Sequence, residues 1–427
     1  MKLALCLEYP IEQPGGTEVL VRELIHGLAA RHQIVLVSGD SAESLRASSV
    51  ADKIVAHLPW DMLAVTREKS RALAAALHAQ QVDLAHFHFG GNYSWGNRLF
   101  NVCPVVHLDR LGTPCLATNH GVFGLWEGYI GPQRPWFVKA GLLPFAWASK
   151  LQMLAHLRAE IAVSQADWRT LRRRYWPARG KFLQIYHSRI QEQEAVPNNI
   201  VGQASPPVLV SQAPSPAGLQ AGALARLETG EGAGPTSTDT ARKKIILCAG
   251  TLGPRKGQPY LARAFAQIAA EFPEWKLIFI GRPGDAQTVA ELEELLRGPV
   301  LREQAEWRRA CSDAELRAWL ASAEIFAMPS MHEGLGLSLQ EALYAGCACL
   351  ATRIGGIPDL LQDGENGMLV ERANVNEMSH ALKQLMSDDA LRRRFRARAR
   401  ASVLEKGMTA PRMVARHEEL YRALLPG

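Results

Sequence analysis

Two carboxylates eight positions apart, Glu333 and Glu341, carry the strongest chemical signal in this 427-residue chain. They bracket Gly334, Gly336 and the apolar residues Leu337, Leu339, Ala342 and Leu343. The stretch reads as a strand end, a glycine-rich turn and a helix start. A helix start leaves backbone N–H groups unbonded and carries partial positive charge, so it suits an anion. A carboxylate just before the helix and one two turns inside it can grip two different hydroxylated groups. The ligand so described is a phosphate with a sugar on either side.

Three more stretches bear polar groups at places a ligand could reach. Arg255 and Lys256 follow the buried strand Ile245–Ala249 in A-G-T-L-G-P-R-K-G, and a basic pair before a helix suits a diphosphate. Gly15 and Gly16 lie between an apolar strand and an amphipathic run, where they let backbone approach a ligand closely. His120 follows the strand beginning at Thr113. His86 and His88 alternate in V-D-L-A-H-F-H-F, so both point to one face. They read either as polar residues at a strand end beside a cleft or as a metal pair.

The elements that must position these residues alternate between strand and helix. Leu3–Leu7, a glycine loop, Val19–Leu28 at helical spacing and the apolar run Ile34–Val37 form a strand–helix–strand unit. Glu160–Ser164 reads as a strand ending in a helix cap at Ser164 or Asp167. Phe182–His187 reads as the last strand of the first half. Residues 192–241 are rich in Pro, Gly, Ala, Ser and Gln without hydrophobic periodicity, which predicts a disordered insertion. The alternation then resumes at Lys243. The expected domains are 1–190, a linker 191–242, a second domain 243–407, and a final helix 408–427 crossing back to the first.

Composition narrows the class. A hydrophobic content of 47% with 21% charged residues is ordinary for a globular protein, and the length predicts two domains. No apolar window is long enough to span a bilayer, and Leu3–Leu7 is too short for a signal peptide. Seven scattered cysteines read as small buried hydrophobes in a reducing cytoplasm. The net charge of +6 is uneven: residues 1–190 hold 21 Lys+Arg against 14 Asp+Glu, and the rest 27 against 28. A basic first half points to an anionic membrane or acceptor. No basic-aromatic recognition motif accompanies it, so no nucleic acid is expected.

The spacing of Glu333 and Glu341, with R-I-G-G-I-P-D-L-L-Q-D-G-E-N-G after them, resembles the signature of retaining family-4 glycosyltransferases. Gly15-Gly16-Thr17-Glu18 resembles that family's G-G-x-E loop, and G-T-L-G-P-R-K-G its G-x-L-x-x-x-K-G loop. The resemblance implies the GT-B fold, an α/β architecture of two Rossmann-like doubly wound parallel-sheet domains facing across a cleft. It implies transfer of a sugar from a nucleotide-sugar to an acceptor hydroxyl with retention. By the same resemblance Glu333 binds donor-sugar hydroxyls within a loop that includes Gly334. Glu341 binds the ribose, and amides around Gly336 and Leu337 hold the diphosphate. His120 lies near the transferred sugar, and Arg255 and Lys256 offset phosphate charge. Catalytic roles fall to Glu333, His120 and Lys256. No D-x-D triplet occurs, so neither metal nor other cofactor is expected.

The chain departs from the pattern in three places: Thr251 where arginine is common, Asp359 where glutamate is usual, and His187-Ser188-Arg189 in place of an Asn-Gly loop. These departures leave a rival reading, a catalytically degenerate GT-B protein serving as a binding or regulatory subunit. Residues 134–151 hold Arg134, Lys139 and Lys150 in an apolar, aromatic run. The run fits a peripheral contact with an anionic membrane, or a covered helix with snorkelling lysines. The expected acceptor is a glycan or a lipid-linked molecule. The expected location is the cytoplasm, with the cytoplasmic face of a membrane as a candidate site of action.

Overall fold

Strand sequences made mostly of Ile, Leu, Val, Ala and Phe, as here, suit parallel sheets covered on both faces. The computed structural model describes residues 1–13, 15–60, 66–89, 103–121, 135–191 and 242–425, and in these it shows two such sheets. The first contains β1 (Lys2–Cys6), β2 (Gln33–Ser38), β3 (Ala56–Pro59), β4 (Leu84–Phe89), β5 (Cys115–Asn119), β6 (Ala159–Ala162) and β7 (Phe182–Gln184). Its order is β3-β2-β1-β4-β5-β6-β7, parallel throughout. The second contains β8 (Lys243–Ala249), β9 (Lys276–Ile280), β10 (Ala305–Arg308), β11 (Ala323–Met328), β12 (Ala348–Thr352) and β13 (Gly367–Val370). Its order is β10-β9-β8-β11-β12-β13, again parallel.

Each sheet sends alternate residues to opposite faces, and each face has its own core. Leu3, Leu5, Ile34 and Leu36 pack with Leu20 and Leu24, whereas Ala4, Cys6, Val35 and Val37 pack with Leu73 and Leu77. In the second sheet Ile245 and Leu247 face Leu339 and Leu343, and Ile246 and Cys248 face Leu261 and Phe265. Helices therefore cover both faces, which is the doubly wound arrangement. The helix Ala410–Leu424 returns to the first sheet, where Met413, Val414 and Tyr421 join its core. A side chain at Gly27 would meet Val414 at 2.6 Å, so this helix crosses Gly16–Leu28 closely.

The strand orders show where each sheet opens a crevice. Both sheets reverse direction of winding, between β1 and β4 in the first and between β8 and β11 in the second. At such a switch point the loops at the carboxyl ends part and leave a crevice. β1 runs out toward Gly15 and Gly16, and β4 ends just beyond His88. β8 leads to Lys256, and β11 leads to Glu333.

Several expectations need correction. The last strand of the first half stops at Gln184 rather than His187: the Ile185 N–H still reaches the Ala162 carbonyl, and the chain then turns to the second lobe, where the His187 carbonyl accepts from Gln340. Lys150 does not snorkel: it is fully buried, and its Nζ donates to Glu160 Oε2 at 2.5 Å. Its helix Trp136–His156 is covered only in its second half, while Trp136, Phe137 and Phe145 are 79%, 61% and 52% exposed. Ser164, not Asp167, caps the next helix by accepting the Asp167 N–H at 3.1 Å. Pro14, Arg134 and the proposed insertion 192–241 lie outside the described residues. All seven cysteines are unpaired, and six are buried.

Candidate active site

Glu333 sits on the loop after β11, and every neighbour of that loop constrains it. Lys256 Nζ donates to Glu333 Oε1 at 2.5 Å, and Ser330 Oγ donates to the same oxygen at 2.8 Å. Thr352 Oγ1, from the end of β12, donates to the Ser330 carbonyl at 2.5 Å. The Met331 N–H reaches the Arg255 carbonyl at 2.8 Å, which ties this loop to the one after β8. Glu333 is only 7% exposed. Burial alone would raise its pKa, but Lys256, Ser330 and the nearby Arg255 outweigh it and hold the carboxyl below its ordinary value. A buried carboxylate is thus kept charged and aimed. The basic pair divides its work: Lys256 turns inward to Glu333, whereas Arg255 is exposed and contributes its backbone carbonyl.

The glycines of this loop are needed for two different reasons. A Cβ at Gly334 would lie 2.3 Å from the His120 carbonyl oxygen, so the two lobes touch backbone to backbone here. Gly336 has φ of 80°, in the left-handed region that favours glycine, and caps the helix Leu337–Tyr344. That helix start faces the first lobe. Gly16 comes close enough that a Cβ would be 3.7 Å from Leu337 Cδ1. Gly15 is the N-cap of the helix Gly16–Leu28, with the Glu18 carboxylate folded over it. Two helix N-termini, each preceded by glycine, therefore converge from the two lobes.

Glu341 is the fifth residue of the helix Leu337–Tyr344, about one turn in rather than the expected two, because the helix starts only at Leu337. Arg189 Nε donates to Glu341 Oε1, and Arg189 Nη1 lies 3.5 Å from Asp313 Oδ1. Burial raises the Glu341 pKa, and Arg189 offsets this only in part. The two carboxylates thus differ: Glu333 is shifted down and Glu341 up. Asp359, in place of a glutamate, accepts the Gln165 N–H at 2.6 Å and so braces the helix Gln165–Arg174 across the lobes.

His120 is held from behind by other histidines. Its Nε2 lies 3.2 Å from His88 Nδ1. His86 is bonded to Thr118 Oγ1 and Tyr421 Oη, each at 2.8 Å. His187 and His417 complete a closed circuit of five imidazoles, whose successive ring centres are 4.0, 5.4, 5.1, 5.3 and 5.7 Å apart. Burial lowers the pKa of all five, so they are neutral near pH 7. The alternation of His86 and His88 was legible in sequence. The contributions of His187 and His417, from 99 and 329 positions further on, were not.

Two other carboxylates lie at the carboxyl edge of the first sheet. Glu8 and Glu18 are 2% and 5% exposed. Burial, reinforced by the charge of Glu8, pushes the Glu18 carboxyl up to about 7. A polar cavity of about 380 Å³ borders Glu333 and is lined also by Asp167, Thr170, Arg353 and Arg372. Two larger hollows, near Lys2, Asp83 and Thr113, lie at the amino ends of the first sheet's strands, away from the switch points.

Two family models divide the chain between them. "Glycosyltransferase Family 4" matches residues 14–187, and "Glycosyl transferases group 1" matches residues 237–402. The chain belongs to the group 1 glycosyltransferases of the family-4 type. It is similar to the D-inositol 3-phosphate glycosyltransferase of Nocardioides, 30% identical over 39% of this chain and 40% of that protein. It is also similar to the GDP-mannose-dependent alpha-(1-6)-phosphatidylinositol monomannoside mannosyltransferase of Mycolicibacterium smegmatis, 29% identical over 34% of this chain and 39% of that one. The chain thus spans well under half the length of these relatives. Anabaena HepE, solved in complex with UDP and glucose, superposes with a TM-score of 0.68 over 99% of this chain and 100% of its own, at 15% identity. That likeness shows the fold, which is GT-B.

Proposed function

We propose that the chain is a retaining glycosyltransferase that moves a sugar from a UDP- or GDP-linked donor to an acceptor hydroxyl. One observation carries this reading above the others: the buried, ionised Glu333, fixed by Lys256 and Ser330, stands one residue from the backbone contact between Gly334 and His120. A charged carboxylate there accepts hydrogen bonds from donor-sugar hydroxyls. The helix start at Gly336–Leu337 supplies amides for the diphosphate, with Lys256 and Arg255 nearby and Gly15 and Gly16 approaching from the opposite lobe. Glu341 accepts from the ribose.

In the reaction so inferred, the acceptor oxygen forms a bond to the anomeric carbon. The bond from that carbon to the phosphate oxygen breaks, and its electron pair stays on the phosphate. The phosphate takes the acceptor proton. Negative charge grows on the diphosphate, so Lys256 and the helix amides act more strongly in the transition state than in the ground state. His120, neutral and supported by His88, borders the sugar. No metal is required, because these groups meet the diphosphate charge; unchanged turnover in chelator checks this point.

The relative named for phosphatidylinositol supports a glycolipid reading, and the proposal extends to cell-surface polysaccharide or lipopolysaccharide synthesis at the cytoplasmic face of a membrane. Among the described residues no helix is long and apolar enough to cross a membrane. The exposed Trp136, Phe137 and Phe145 are the surface by which the chain would rest on anionic lipid. Sedimentation with anionic vesicles, compared with a Trp136→Ala/Phe137→Ala variant, measures this.

The deciding experiment is a thermal-shift screen against UDP-, GDP- and ADP-sugars, followed by transfer assays with the sugar that binds. A ligand at a hundred times its Kd adds about 2.7 kcal/mol. A chain that binds none of them and releases no nucleotide is not this enzyme.

A further inference from the structure

Arg189 is placed where no surface arginine would need to be. The segment after β7 runs along the helix Leu337–Tyr344 and is pinned to it at three levels. Gln340 Nε2 donates to the His187 carbonyl at 3.0 Å, Arg189 donates to Glu341, and Tyr344 Oη donates to the Gln191 carbonyl at 3.5 Å. Arg189 is thereby carried from the first lobe onto the carboxylate inside the second. Both side chains are largely buried, at 20% and 17% exposure. Among the described residues, the hydrogen bond to Glu341 ends on Oε1 alone. Arg189 Nη1 also lies 3.5 Å from the more exposed Asp313 Oδ1.

The surrounding charges sharpen the assignment. Glu341 faces Arg189 from the first lobe, and Asp313 and Arg317 from the helix Asp313–Ser322. Glu23, on the helix Gly16–Leu28, faces Arg189 from the other side. Lys256 is committed to Glu333, and Thr251 brings no charge to the loop after β8. Arg189 is therefore the cation with the larger influence on Glu341, ahead of Arg317.

We propose that Arg189 is a positioning residue for the nucleotide half of the donor: its hydrogen bond to Oε1 favours the carboxylate form of Glu341 and turns it so that Oε2 accepts the ribose hydroxyls. This inference rests on the donor site proposed above. Its chemistry is simple. A carboxylate accepts charge-assisted hydrogen bonds from a ribose diol, and these are roughly twice as strong as neutral ones. A buried carboxylate that loses its cation takes up a proton at higher pH and loses that advantage.

The test uses the full-length chain, with UDP and GDP as probes, in calorimetric titrations from pH 5.5 to 8.5. Wild type is expected to bind one of them with nearly constant affinity between pH 6.5 and 8.5. Arg189→Gln is expected to bind at least tenfold more weakly at pH 6 and to regain affinity as the pH rises. Arg189→Lys restores most of the loss. Glu341→Gln already lacks the charge, so adding Arg189→Gln to it costs little more. In turnover, the Arg189→Gln defect falls mainly on the donor KM. If Arg189→Gln binds nucleotide like wild type at every pH and only melts earlier, Arg189 is a strut between the lobes and the proposal is wrong. If wild type binds neither nucleotide, the donor site itself is misassigned, an outcome distinct from the first.

Discussion

Lys256 and Glu333 come from loops after adjacent strands, 77 positions apart in sequence, and meet through one hydrogen bond of 2.5 Å. Each changes what the other can do. Lys256 keeps a buried carboxylate charged, and Glu333 fixes the Lys256 ammonium on the loop that leads to Gly336. Glu333→Ala and Lys256→Ala are each expected to lower kcat by about a hundredfold or more, the scale seen when one preorganised polar group is removed from a reacting centre. The two losses are not additive, because each variant also frees the other's side chain. Lys256→Ala carries an added stability cost, since it leaves Glu333 buried and poorly compensated. Transfer rates with urea melts on both singles and the double variant measure this. Wild-type turnover in either single variant removes that residue from the mechanism.

Gly334 is expected to be irreplaceable even by alanine. The added methyl would sit 2.3 Å from the His120 carbonyl, where the neighbour is backbone and cannot step aside. The loops must part, and the histidine and the carboxylate separate with them. Gly334→Ala should therefore lower kcat/KM at least tenfold, with a stability loss of about 1–3 kcal/mol. A variant that melts early but turns over normally would show that the approach of the lobes is not needed for chemistry.

The histidine circuit makes the fold acid-sensitive. His86, His88, His120, His187 and His417 all have pKa values pushed below 6.5 by burial, that of His417 to about 4. Below pH 6.5 the unfolded chain binds protons that the folded chain refuses. Their contribution is complete above that pH and is lost as the pH falls toward 4. Each such group lowers stability by about 1.4 kcal/mol per pH unit across its window. Urea melts at pH 7.5, 6.5 and 5.5 should show a steep decline, and His417→Gln should make it shallower. A flat profile would mean that these imidazoles are not buried together in solution.

Glu18 should act in the opposite sense. Its pKa rises from the ordinary 4.5 to about 7, so the folded state holds a proton that the unfolded state has released. Its contribution is present below 4.5 and is lost as the pH rises through 7. Glu18→Gln keeps the shape and removes the titration. The variant should gain on wild type between pH 5 and 8, by roughly 3 kcal/mol at most. The difference between the two melting profiles measures it, and a pH-independent difference would contradict the burial of an acid at this position.

Much of this was legible in sequence where the signal is local. Apolar runs marked the strands, because a parallel strand covered on both faces must be apolar along its length. Gly336 marked the helix start between Glu333 and Glu341, but the eight-residue spacing overstated the depth of Glu341 by about a turn, because residues 333–336 belong to the loop and not to the helix. The end of β7 was misjudged because Ile185 and Tyr186 are as apolar as a strand needs, while hydrogen bonds to the second lobe divert the chain at His187. Lys150 was misjudged because nothing nearby in sequence reveals that Glu160 turns back beneath its helix.

The sequence alone establishes the periodic elements and their alternation, and it singles out the carboxylates, glycines and basic pair of the proposed site. Those follow from spacing along one chain. Which of these groups are charged, and which way they face, depends on contacts between distant parts of the chain. Lys256 meets Glu333, Arg189 meets Glu341, and His88 meets His120 across gaps of 77, 152 and 32 residues. The ionisation of a buried group is set by desolvation and by the nearest charge. Both are properties of neighbours in space.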